Sequence, residues 1–211
     1  LGASLTKNGW VYEIVDGDRE TDGRTTGDVG FEVKAVVSRN SVYVVYDSVL
    51  ILSSQNRATQ GEVRVATRAT IFPEDWRYQT LDGPDNGLAV AGYDVAISSS
   101  EKKVAVAWLG ASGNSLPNPD LVRFMILNQD IEPMTLTSKS LGAPGSPLII
   151  GPEGLLYGCE SRICTTDTYG VRQKLVTSST LNGVKESAIF ASKGKRFLVT
   201  STNKKLVAYK I

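Results

Sequence analysis

The sequence predicts an all-β repeat protein, and three observations carry that reading. Apolar residues alternate with polar ones at period two, tight-turn dipeptides separate the alternating runs, and two long stretches copy each other. The alternation is carried in order by Phe31/Val33/Ala35, Val42/Val44/Tyr46, Val63/Val65, Leu88/Val90, Val104/Val106/Trp108, Val122/Phe124/Ile126, and Leu198 with Leu206/Ala208. Between the runs lie Asp16-Gly17, Asp22-Gly23, Asp82-Gly83, Asn86-Gly87, Gly113-Asn114, Pro152-Glu-Gly154, Asn182-Gly183 and Lys193-Gly194, residue pairs suited to tight turns. No window of a dozen residues carries a capped helical stripe, so very little helix is expected.

The copies define the unit. Trp10-Val-Tyr12-Glu-Ile-Val-Asp16-Gly17 recurs as Trp76-Arg-Tyr78-Gln-Thr-Leu-Asp82-Gly83, and Gly30-Phe-Glu-Val33 through Val42-Tyr-Val44-Val-Tyr46 recurs as Gly92-Tyr-Asp-Val95 through Val104-Ala-Val106-Ala-Trp108. A shorter repeat, Ser146 to Tyr157 against Ser187 to Leu198, reads as strand, glycine turn, strand, each followed by a third strand. Residues 47–61 and 109–120 read as long insertions within the larger units. The expected organisation is one domain, 1–211, with units at 8–70, 71–130, 131–170 and 171–211.

Each unit resembles a β-propeller blade: a Trp, a Gly-led strand, a turn, a strand ending in an aromatic, a loop and an outer strand. The resemblance implies a β-propeller or propeller segment of about four units, with a two-sheet β-sandwich as the alternative. It matches no named blade class, since there is no Gly-His pair of a WD40 blade, no Gly-Gly pair of a kelch blade and no Ser-x-Asp-x-Gly-x-x-Thr-Trp box of a sialidase-type blade. No residue role is therefore transferred.

Composition narrows the function. The chain has 211 residues, enough for one full core, and its net charge of +1 argues against a nucleic-acid partner. Its longest apolar run, Val42 to Leu52, is interrupted by Asp47 and is too short to span a bilayer. Cys159 and Cys164 are expected opposite each other across a hairpin, as a disulfide, which favours an extracytoplasmic or secreted setting. Histidine is absent, which excludes Ser-His-Asp and Cys-His catalysis and leaves paired carboxylates, or a set of arginines with a Tyr-Glu pair and an Asp.

Four groups of candidate residues remain. Asp16, Asp18, Glu20 and Asp22 place carboxylates at every second position, as a Ca²⁺ loop would, although Thr21 and Gly27 break the EF-hand pattern. Trp10, Tyr12, Trp76, Tyr78 and Trp108, with Asn114 and Asp120, could stack on and hydrogen-bond sugars. Repetition of the two Trp-x-Tyr pairs points instead to burial between units. Arg64 and Arg123 alternate with apolar neighbours and are expected to face solvent. Lys193 to Arg196 with Lys204 and Lys205 form a modest basic patch attributed to two turns. The reading is a non-enzymatic binding or assembly module, part of a larger protein or complex, with a protein partner or a second copy. A lectin-like propeller and a glycosidase using carboxylate pairs are the alternatives, and no cofactor beyond Ca²⁺ is expected. The loops at 16–29, 47–61, 82–91 and 109–120 are expected on one face.

Overall fold

A computed structural model describes residues 2–17, 28–52, 54–55, 58–70, 75–99, 103–113, 119–127, 134–137, 148–151, 154–159, 162–166, 173–177, 184–192, 195–202 and 205–210. The chain folds almost wholly into antiparallel strands, with no α-helix among the described residues and one 3-10 turn at Pro84–Asn86. No helix there is long and apolar enough to cross a membrane.

An N-terminal hairpin pairs β1 (Gly2–Thr6) with β2 (Gly9–Glu13). The first meander follows: β3 (Asp28–Ser38), β4 (Ser41–Leu52), β5 (Ala58–Ala69) and β6 (Arg77–Asp82), each hydrogen-bonded to the next. The second contains β7 (Val90–Ser99), β8 (Val104–Ala111), β9 (Leu121–Ile126) and β10 (Met134–Thr137). One parallel bridge, Gly61 opposite Val90, joins the two into an eight-stranded sheet. A third meander has β11 (Leu148–Gly151), β12 (Gly154–Cys159), β13 (Arg162–Thr166) and β14 (Gln173–Thr177). The last sheet has three strands, β15 (Val184–Ser192), β16 (Lys195–Thr202) and β17 (Leu206–Lys210).

The first strands of successive meanders touch in order, β3 with β7, β7 with β11, and β11 with β15. The sheets are therefore arranged around a common inner line. The main core lies between the first two meanders. Val45, Val63, Val65 and Leu81 pack there against Leu88, Val95, Val106, Trp108 and Met125. Because both faces of a stacked sheet are covered, strands such as β5 are buried on alternate and intervening positions alike, from Gly61 through Ala66.

The sheets are phased differently from the sequence units. The Trp76-x-Tyr78 strand, placed at the head of a unit by its repeat, closes the preceding sheet as β6 on β5. By the same repeat β2 is a fourth strand and β1 a third. The stretch read as an insertion at 47–61 is largely strand as well. Val49 to Leu52 extend β4 past Asp47, leaving a short connection to Ala58.

Candidate functional site

The copied residues converge on two equivalent junctions. At the second, Asp82 ends β6 and receives three donors: its own turn, through the Gly83 N–H to Oδ1 at 2.9 Å; Trp108 Nε1–H to Oδ2 at 2.7 Å; and Arg123 Nη1 to Oδ1 at 2.7 Å. Trp108 and Arg123 are cross-strand neighbours on β8 and β9. At the first junction Asp16, just after β2, accepts the Gly17 N–H at 2.8 Å and the Tyr46 hydroxyl at 2.6 Å, with Arg64 Nη1 3.8 Å away. Tyr46 and Arg64 are cross-strand neighbours on β4 and β5. An Asp-Gly turn that ends one sheet thus locks onto an aromatic and an arginine of the next, twice. Burial pushes the Asp82 carboxyl above the usual carboxylate range, while Trp108, Arg123 and the Gly83 N–H pull it back.

These junctions correct the expected outward-facing arginines. Arg64 is 2% exposed and is held by Glu62 through Nη2 at 2.9 Å and Nε at 3.0 Å. Period-two alternation places residues on two faces; in a stacked sheet the second face is also interior, so a charge there must be paired. Trp108 is fully buried and supplies no ligand platform. Asp16 is enclosed by its lock, and Asp18, Glu20 and Asp22 lie outside the described residues. Among the described residues no group of three acidic or cysteine side chains is placed to hold a metal ion.

The aromatic pairs diverge. Trp76 is half-buried against Val15, Tyr46 and Ala66, with the Arg68 guanidinium 4.6 Å from its ring centre, and Tyr78 donates to the Val15 carbonyl at 2.7 Å. Trp10 is 61% exposed and Tyr12 also exposed, contrary to the burial their repetition implies. Asp120 accepts the Ser112 N–H at 2.9 Å and hydroxyl at 2.7 Å, closing the β8–β9 loop, and Asn114 lies outside the described residues. Cys159 pairs with Arg162 and Cys164 with Tyr157, so the cysteines are not directly opposite.

A further acidic group carried no weight in the sequence. The repeated Gly-aromatic-acid-Val motif puts Gly30 and Gly92 at φ 94° and 95°, and the register of both inner strands shifts there. The bulges bring the acids that follow, Glu32 and Asp94, into the same field as Asp47 on β4. Burial, then the Glu32 charge, raises the Asp47 carboxyl to about 7. The same two causes raise Asp94 to about 6, with Lys34 opposing. Lys34 Nζ lies 3.9 Å from Glu32. The recurrence of an acid at one repeat position was the signal available.

No protein-family model matches the chain, and no curated protein does either. Solved structures do. A Trypanosoma rangeli sialidase superposes with a TM-score of 0.61 at 14% identity, over 99% of this chain and 38% of that one. The same enzyme in complex with 2,3-difluorosialic acid, a covalent intermediate, gives 0.63 at 14% identity, over 99% and 41%. A mutant of it displaying trans-sialidase activity gives 0.60 at 12% identity, over 99% and 41%. The fold is that of a β-propeller. The chain spans about two fifths of these proteins' length, and its propeller is an open arc rather than a closed ring. Its meanders are blades, and the Asp-Gly locks join blade to blade without the sialidase-type box.

Proposed function

We propose that the chain is an arc of a β-propeller acting as a non-enzymatic binding and assembly module within a larger protein or complex. The doubled lock is the observation that supports this reading. Asp16, Asp82, Arg64 and Arg123, the kinds of group that carboxylate- or arginine-based chemistry would use, are engaged in joining blades, and Glu62 is taken up by Arg64 within its own blade. Its partner is a protein surface or a second copy, in an extracytoplasmic setting. The test is a panel of chromogenic glycosides, sialosides included, assayed between pH 4 and 8. No turnover above the buffer blank is the expected result, and turnover abolished by Asp94→Asn would overturn it.

A glycan-directed reading is favoured by one specific observation. Asp47, with its carboxyl raised to about 7, would retain protons near neutrality, and Asp94, raised to about 6, would do so in mildly acidic solution, as a glycosidic general acid must. Exposed Trp10 and Tyr12 would offer sugar-stacking faces nearby in the repeat but on another element. Glycan-array binding lost on Trp10→Ala, without hydrolysis, would favour a lectin; hydrolysis with a pH limb between 6 and 7 would favour an enzyme.

A further inference from the structure

We infer that the outward face of the first blade is a docking surface for one further β-hairpin, the inner two strands of a propeller blade carried by polypeptide outside residues 1–211. The inference rests on the assembly reading above and names its partner.

Three observations agree. The first is a comparison of equivalent strands. Val95 on β7 is fully buried against the first blade, whereas Val33, its repeat equivalent on β3, is 49% exposed, and Phe31 and Val37 beside it are exposed too. On the neighbouring strands, Val104 and Val106 are buried, while their equivalents Val42 and Val44 are only partly covered. The second is the glycine pair. A Cβ on Gly92 would overlap Asp47 of the preceding blade, but a Cβ on Gly30 would meet nothing within 4 Å. The third is the hairpin of β1 and β2. By its repeat it is the outer half of a blade, it is joined to the first blade by the Asp16 lock, and the Glu13 carboxylate grips Arg68 with two hydrogen bonds at 2.5 and 2.7 Å. A docked outer half fixes where the inner half belongs: along β1 and over Val33, Val37 and Val44.

The chemistry of the occupant follows. In the second blade the corresponding place is filled by β3 and β4, an antiparallel hairpin with valines facing the neighbour. An occupant of that kind would add main-chain hydrogen bonds along β1 and an apolar face against the first blade. The superposed sialidases are about two and a half times as long as the matched region, which gives the reason to assign this hairpin to polypeptide beyond the chain rather than to a second copy.

The test appends a copy of residues 28–57 ahead of Gly2, so that the copied hairpin precedes β1 through a natural connection. With Cys159 and Cys164 changed to serine, a Val33→Cys thiol should react with maleimide at least tenfold more slowly in the appended chain than in the parent, and the acrylamide-quenchable part of the tryptophan emission, which belongs to exposed Trp10 rather than to half-buried Trp76 or buried Trp108, should fall. The Trp10 readout needs no substitution. The same appended segment with its valines changed to lysine should give neither effect. Equal labelling and quenching in parent and appended chains would overturn the inference, as would equal protection by the lysine-bearing segment. Concentration-dependent protection in the unmodified chain, with a dimer by sedimentation, would assign the face to a second copy and also overturn it. Glycosidase turnover would bear on the proposed function alone and leave these readouts unchanged.

Discussion

Removing the Asp82 carboxylate would leave the buried Trp108 indole N–H without its acceptor and take the ion pair from Arg123, which would keep only the Asn86 carbonyl. Asp82→Ala should therefore cost about 3–5 kcal/mol in urea unfolding. Asp16→Ala should cost less, about 1–2 kcal/mol, because Arg64 keeps its two contacts to Glu62. Equal losses would mean that the two locks are not energetically distinct. Asp47 gives a pH signature of opposite sense to an ordinary ion pair. Its carboxyl titrates near 7 in the folded chain instead of 3.8, so across that window the folded state holds a proton that the unfolded state has released. The contribution of this site is full below about pH 4 and is lost as pH rises to 7. Asp47→Asn, which cannot ionise, should gain stability over the parent progressively from pH 4 to pH 8, read as a widening difference in Tm. A constant difference would show that Asp47 is not the titrating group.

Equivalent strands in unequal surroundings supply an internal control. Val95→Ala should cost about 2 kcal/mol from lost burial plus a cavity, whereas Val33→Ala should cost less than about 0.5 kcal/mol. Gly92→Ala combines a positive-φ penalty with a clash against Asp47, while Gly30→Ala carries the φ penalty alone, so urea midpoints should order parent, Gly30→Ala, Gly92→Ala. The strands themselves were legible from the sequence, since alternation and turn dipeptides depend only on local geometry. The repeat even paired Asp16 with Asp82, Tyr46 with Trp108 and Arg64 with Arg123 before any contact was known. It could not say which way the arginines point, because a period of two gives two faces without naming the inner one. Nor could it foresee that Trp10 and Trp76 differ, since identical motifs acquire different burial when only one has a complete blade around it. Of the acidic group, the repeat marks Glu32 and Asp94 as one recurring position, whereas Asp47 was illegible because it joins them through a strand pairing and a bulge, not through spacing along the chain.

In a stack of blades each unit touches only its neighbours, and stability should be highest where a blade is covered on both sides. Amide hydrogen exchange is expected to be slowest in β5 and β8, whose residues Gly61 to Ala66 and Val106 to Ala111 are continuously buried, and fastest in β2. Uniform protection across these strands would contradict a stacked arc. The single rung between Gly61 and Val90 acquires a mechanical meaning here. The Gly61 N–H also donates to the Ala89 carbonyl at 3.1 Å, and a side chain at 61 would crowd the Ser48 carbonyl and Val90 at 3.2 Å. Tension applied across the first two blades must shear this rung together with the Asp82 lock, so the pair should yield in one step under load, as a single mechanical element built from two repeats.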